Sequence, residues 1–328
     1  MKSELLKLFI NRILTSILVL FLLITLVFVL IRMAPGDPAQ KFISPKLSPE
    51  LVTQIEKSFN LDEPLHIQYI SFLAKIITGD FGISYSYRMP VLTVIKDYFI
   101  FTLVFSIISF LLQFFMALLL ARYTFRKKDQ LIDQVINRMT VIIYIIPSFV
   151  LGLVLVIIFS STLKIFPTSG IQSIHSESVS LVQKMIDHLH HLILPLITLT
   201  AAGSALFYRY LRDGFSQVSN MAFITNLRSS GYTEKEIFYR HILPNSIQPL
   251  ISAAGIEFGI LMGGALITEV IFSLPGMGRL TISAIMNRDF PLVMGCTLIA
   301  GFMMILANLI ADFLKVRLDK RLIKDLIE

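Results

Sequence analysis

The chain has 328 residues, 55% of them hydrophobic and 16% charged, with a mean hydropathy of +0.75. Soluble domains carry roughly 45–50% apolar residues and about 25% charged ones, so composition excludes an ordinary water-soluble protein, and intrinsic disorder with it. The formal net charge of +7 raises nucleic acid as a partner, while the single cysteine, Cys296, excludes an internal disulfide and any cysteine-based metal centre.

A helix that crosses a bilayer needs about 20 mostly apolar residues, because a rise of 1.5 Å per residue must cover roughly 30 Å of hydrocarbon. Residues 13–31 are the first such run. Lys2, Lys7 and Arg12 precede it like the n-region of a secretory signal. The run exceeds the usual length of roughly 7–15 residues and no small-x-small cleavage site follows, so an uncleaved helix is expected. Residues 1–31 therefore read as a cytoplasmic segment with the first span, and residues 32–97 as an extracytoplasmic loop subdomain. Within that loop Ser48-Pro49-Glu50 has the form of a helix start, with Ser48 as N-cap and Pro49 at the first helical position. Its tail, Gly79-Asp80-Phe81-Gly82, superficially resembles the kinase metal-binding triplet. No kinase Gly-rich loop, strand lysine or catalytic loop accompanies it, which excludes that chemistry.

The core, 98–328, offers further spans at 98–121, 140–159, 192–207, 247–267 and 292–314. The run at 192–207 is short, contains Pro195 and Gly203, and rests partly on the topology it completes. No Lys or Arg falls inside any of these runs. With the N-terminus inside, segments 1–12, 122–139, 208–246 and 315–328 are more than twice as dense in Lys and Arg as 32–97, 160–191 and 268–291. The positive-inside rule then puts both termini in the cytoplasm. Topology and the anionic inner leaflet explain the basicity and leave no need for nucleic acid; membrane lipid is the expected partner.

The inner segment 208–246 is too long for a simple connector. A helix is expected over 216–230, with Gly231 where a left-handed cap is needed. Thr233-Glu234-Lys235-Glu236 is a capping box opening a second helix over 234–243, which Pro244 should stop. Met221, Ile224, Leu227, Ile237, Phe238 and Ile242 can form an apolar face that either packs on neighbouring spans or docks a soluble partner.

Leu227-Arg228-Ser229-Ser230-Gly231 followed by His241-Ile242-Leu243-Pro244-Asn245 resembles the EAA loop of ABC importer permeases. Arg32-Met33-Ala34-Pro35-Gly36-Asp37-Pro38, Leu61-Asp62-Glu63-Pro64 with Gln68-Tyr69, and Gly79-Asp80-Phe81-Gly82 resemble the first membrane subunit of oligopeptide, dipeptide and nickel importers. So do the stretch from Glu269 through Pro275-Gly276-Met277-Gly278-Arg279, Arg288-Asp289-Phe290-Pro291, Asn308, Asp312 and Leu318-Asp319. The chain departs from the family in carrying Thr225-Asn226-Leu227 as the naming triplet and Leu274 where an aromatic residue is frequent.

The resemblance implies an all-α polytopic membrane protein with six transmembrane helices, like type I ABC importer permeases. It implies an ATPase-coupling loop carried by Thr225, Arg228, Gly231, Thr233, Glu236, His241, Leu243, Pro244 and Asn245. It also implies an outer gate or docking turn at Glu269, Pro275, Gly276 and Gly278. The implied partners are two cytoplasmic ATPase subunits, a second homologous permease and an extracytoplasmic solute-binding protein. No P-loop occurs, so energy must come from another subunit. No catalytic residue or resident cofactor is expected, and the cargo would be peptides or a related small solute such as a nickel chelate.

Several residues keep two readings. Glu257, in the middle of a span, needs a partner, a watery path or protonation; it either faces the translocation path or makes a structural hydrogen bond. Asp312 should reach water or Lys315. Gly255, Gly259, Gly263 and Gly264 recur as small residues do where membrane helices approach closely, or they line a permissive pore. Asp187-His188-Leu189-His190-His191 is either a metal site or a solvated interfacial cluster. An ion-coupled secondary transporter is the alternative function, with only Glu257 hinting at coupling-ion groups. An intramembrane hydrolase lacks both a His-Glu-x-x-His motif and a Gly-x-Ser-x-Gly elbow.

Overall fold

The computed structural model describes residues 2–33, 63–173 and 180–318. The expected helix start at Ser48, residues 34–62 of the outer loop and Asp319 lie outside the described residues. Among the described residues there are twelve α-helices. They are α1 (Lys2–Met33), α2 (Leu65–Ile77), α3 (Val91–Arg126), α4 (Leu131–Ile145), α5 (Ser148–Leu155), α6 (Leu181–Ser219), α7 (Ala222–Ser229), α8 (Glu234–Ile237), α9 (Leu243–Met262), α10 (Leu266–Ile271), α11 (Met277–Met286) and α12 (Phe290–Leu318). Wider π turns, Val156–Thr162 and Phe238–Ile242, prolong α5 and α8. Five helical stretches are long and apolar enough to cross a membrane, or six if one bent pair counts as a single span.

That bent pair corrects the expected straight span over 140–159: α4 and the α5 stretch meet at 103°. Pro147 lacks the N–H that would continue the ladder and its ring clashes with the carbonyl four residues back. Ile146 is pushed to ψ 124°, the extended conformation a residue before proline prefers. The short run at 192–207 is the middle of α6, whose 39 residues include Pro195. At 1.5 Å per residue α6 is about twice as long as the hydrocarbon is thick, so its two ends lie in different environments.

Two further boundaries differ from expectation. The helix expected over 216–230 is split at Asn220 and Met221, where α6 ends and α7 begins. Pro244 does not stop a helix, since it lies in the first turn of α9 and the Phe238–Ile242 turn joins α8 to α9 without a gap. The wider turn just before Pro244 relaxes the strict four-residue ladder that a proline inside an α-helix would break.

Helix α3 packs on α6 and α9 through a buried polar stripe, Thr102, Ser106, Ser109 and Gln113, spaced to share one face. The Ser106 hydroxyl donates to the Leu261 carbonyl at 2.7 Å and the Gln113 amide to that of Leu199 at 3.1 Å. The Gln113 amide lies flat against Gly203, where any side chain would collide with it. In hydrocarbon such bonds between helices replace the absent hydrophobic drive.

The glycine stripe of α9 packs on α12 of the same chain. A Cβ on Gly255 would stand 2.5 Å from that of Ala311, and one on Gly259 3.1 Å from the Met304 backbone. Gly264 leaves this stripe, turning at φ +97° against the Gly278 backbone. Helix α1 lies outermost. The Thr25 and Tyr69 hydroxyls are 2.6 Å apart, Phe28 stacks on Phe72, and Gly301 admits Leu23. Asp312 binds Lys315 at 3.1 Å, as expected, and also Arg12 at 3.3 Å, which ties α1 to α12.

Candidate functional site

The segment 220–245 forms an elbow at one end of the bundle. Helix α7 ends in a six-residue cap: the Tyr232 amide donates to the Leu227 carbonyl at 3.2 Å and the Gly231 amide to that of Arg228 at 3.1 Å. This pairing requires a left-handed residue after the helix, and Gly231 supplies it at φ +85°. The capping box follows at once. The Glu236 amide donates to the Thr233 hydroxyl at 3.3 Å, and the Thr233 amide donates to the Glu236 carboxylate at 3.1 Å. Across the turn the Arg228 guanidinium reaches both Glu234 oxygens, at 2.7 and 3.4 Å. That bond holds its pKa above the ordinary arginine value, so Arg228 stays charged. Beyond it, the Asn245 amide donates to the His241 carbonyl at 2.6 Å. Thr225, Pro244 and Asn245 are exposed, and His241 and Leu243 half-buried.

The proposed apolar face resolves into two sets. Ile224, Ile237, Phe238 and Ile242 are buried with Tyr208, Leu211, Phe215 and Leu250, so they belong to the chain's own core. Phe125, Phe215 and Phe238 form a triangle of rings with centroids 5.2–5.6 Å apart. Met221 remains exposed, and Leu227 is partly covered. The outward surface is instead Met221, Phe223, Tyr232 and Tyr239, with the His241 ring 6.5 Å from that of Phe223 and 6.4 Å from that of Tyr232. Phe223, Tyr232 and Tyr239 escaped the sequence analysis. Their period is interrupted by the turn at Gly231, so no single helical face displays them.

At the opposite end the turn is built around the Glu269 carboxylate. Glu269 is 1% exposed and its carboxylate accepts from the Arg279 amide at 3.0 Å and from the Thr102 hydroxyl at 3.4 Å. The Thr102 oxygen in turn accepts from the Met277 amide at 2.8 Å. Glu269 thus satisfies the N-terminus of α11, where orphan amides and the helix dipole favour an anion. Gly276 and Gly278 are required because a Cβ on either would collide with that carboxylate. Half-buried Pro275 leads into the turn. Beside it, Asp289 accepts from the Ser84 hydroxyl at 2.6 Å and the Ser86 amide at 2.8 Å, binding the 84–86 loop to the start of α12.

Glu257 is half-buried on α9 and its carboxylate has no hydrogen-bond or ion-pair partner among the described residues. The histidines stand in the first third of α6. His188 and His191 turn Nδ1 to the carbonyls of Lys184 and Asp187, at 2.7 and 2.8 Å, and His190 turns Nε2 to that of Ile165 at 2.9 Å. Among the described residues no group of three or more His, Cys, Asp or Glu is placed to hold a metal ion.

Residues 113–324 match the family model of the binding-protein-dependent transport system inner membrane component, and residues 5–106 match the model of its N-terminal region. The oligopeptide transport system permease protein AppB of Bacillus subtilis is 32% identical over 314 residues, covering 95% of this chain and 98% of its own. The glutathione transport system permease protein GsiC of Escherichia coli K12 is 30% identical over 305 residues, covering 93% and 95%. Among solved structures, a chain of an amino acid ABC transporter has a TM-score of 0.51 at 18% identity, covering 69% of this chain and 94% of that one. One from the MetNI methionine ABC transporter has a TM-score of 0.50 at 15% identity, covering 72% and 97%. At those identities the likeness concerns the fold.

Proposed function

The chain belongs to the family of binding-protein-dependent transport system inner membrane components and is a permease subunit of an ATP-driven importer, and on that footing we propose how it works. It pairs with a second, homologous permease to enclose the path, two ATPase subunits grip the elbow on the cytoplasmic side, and a solute-binding protein delivers cargo from outside. Both termini lie in the cytoplasm of a bacterial inner membrane, on the strength of the Lys and Arg distribution. The observation that carries this reading is the elbow. A capped turn, a capping box and an arginine bridge stiffen a segment whose aromatic surface is unburied, and whose base is packed into α3, α6 and α9. Nucleotide-driven closure of the ATPases would then displace Thr225 to Asn245 as a unit and repack the spans between two openings, a two-state rigid-body change.

The cargo is a peptide or a related small solute such as a nickel chelate; relatives are named for oligopeptides and glutathione. Glu257, an unpaired carboxylate within a span, faces the path and meets a cationic group on the cargo. The turn of Glu269, Pro275, Gly276 and Gly278 forms the outer gate or docking turn for the binding protein. Reconstitution of the co-purified complex in vesicles tests the reading: short peptides should accumulate with ATP and not with a variant ATPase lacking its P-loop lysine. Accumulation driven by an ion gradient without ATP would overturn it. For Glu257→Gln, rate and cargo preference should both change; an unchanged profile removes Glu257 from the path.

A further inference from the structure

Helix α4, the first half of the bent span, is held to α6 at both of its ends. In its first turn Asp133 is 2% exposed, and its carboxylate makes a two-pronged contact with the Arg212 guanidinium, the Nη2 arm measuring 3.2 Å. The same carboxylate accepts from the Asp129 amide at 3.2 Å. Arg212 also donates to the Tyr208 hydroxyl at 3.1 Å, and that hydroxyl donates to Thr124 on α3 at 3.3 Å. In the last turn of α4, directly before Pro147, the Tyr144 ring lies 4.9 Å from the Arg209 guanidinium carbon. Arg209 and Arg212 are neighbours on α6, one turn apart, and their side chains diverge to opposite ends of α4.

Asp133 is buried but the Arg212 side chain is 32% exposed, and a pair of this kind adds little net stability; the best-attested use of a buried charge held by a partner is to fix register. Register is what matters here, because α6 runs on into the elbow within two residues of α7. Resting on the permease reading above, we propose that the Asp133–Arg212 pair, seconded by Arg209 on Tyr144, is the link that makes the bent span follow the elbow. When the elbow is displaced, α6 carries α4 with it as one body, and the 103° bend converts that motion into a swing of the α5 half. Asp133 and Arg212 are then positioning residues: they touch neither cargo nor nucleotide, and they set how much transport each closure of the ATPases yields.

The readout is cargo taken up per ATP hydrolysed, measured in vesicles containing the complete importer with its binding protein. Asp133→Asn and Arg212→Met should lower that ratio by at least about fivefold, the scale of an ordinary coupling free energy, while hydrolysis itself stays near the wild-type rate. Arg212→Lys, which restores the charge, should recover part of the loss. A merely structural role would lower uptake and hydrolysis together and leave the ratio unchanged, and that result overturns the proposal. If Asp133→Asn fails to assemble, Tyr144→Leu keeps the Asp133 charge paired while removing the Arg209 contact and reads the same ratio; no change there is equally fatal. Absence of ATP-dependent uptake in the wild-type importer would instead sink the permease reading, so the two failures are distinguishable.

Discussion

At Gly231 and Gly276 the same residue type is demanded for different physical reasons. Gly231 sits at φ +85° with open space around its missing Cβ, so Gly231→Ala meets only the left-handed penalty of about 1–2 kcal/mol. Gly276 has an extended backbone, but a methyl there would enter the Glu269 carboxylate. Gly276→Ala should therefore cost about 3 kcal/mol, from overpacking plus lost bonds to the α11 amides. The midpoint of thermal unfolding in detergent checks the order: Gly276→Ala should unfold well below Gly231→Ala, and equal midpoints would contradict it. Gly231→Pro is a functional test, since proline cannot take a positive φ. It should abolish uptake while the chain still inserts, and normal uptake would remove Gly231 from coupling. Gly231, Thr233 and Glu236 were legible because cap rules act within six residues of chain. Arg212 and Asp133 were not, because they are 79 residues apart and neither flank carries a local sign of the other.

Among the described helices, α6 and α8 open with local capping boxes, whereas α11 is satisfied from a distance, which local sequence rules cannot show. Helix α11 opens without a side-chain cap of its own; Glu269 and Thr102 supply the acceptors. Glu269→Ala would leave the Arg279 amide and the Thr102 hydroxyl unpaired in a buried setting, at about 1–3 kcal/mol for each orphaned group. Glu269→Gln retains an acceptor oxygen and should fall between wild type and Ala. Hydrogen exchange at residues 277–280 separates the three, with protection falling in the order Glu, Gln, Ala; protection unaffected by the Ala change would show that α11 is held otherwise. Hydropathy found the apolar stretch over 140–159 because it sums composition, and for the same reason it could not see direction change at Pro147. Proline misled in the other sense at Pro244, where a π turn lets the chain arrive already helical and the expected stop becomes a first turn.

For the whole molecule, apolar runs separated by basic segments identified a multi-pass membrane protein, and motifs in order along the chain identified its family. What they could not identify was which elbow residues are free to meet a partner. Ile224, Ile237, Phe238 and Ile242 looked equally available in the sequence, yet they close the chain's own core. The outward surface is assembled from both sides of the Gly231 turn, and Phe223, Tyr232 and Tyr239 are its large side chains. Aromatic residues of this kind carry a disproportionate share of binding energy, each truncation at a hot spot costing about 2 kcal/mol or more. Phe223→Ala with Tyr232→Ala should then weaken capture of the ATPase subunits at least about tenfold while leaving the unfolding midpoint nearly unchanged. Ile224→Ala should do the reverse, costing the roughly 2–5 kcal/mol of folding free energy of a buried Ile truncation, so that the midpoint falls while capture drops only in step with lost folded protein. Capture is read by co-purification against ATPase concentration in mild detergent. If the two exposed-ring changes leave the capture curve where it was, the ATPases grip some other surface and the elbow is not their handle.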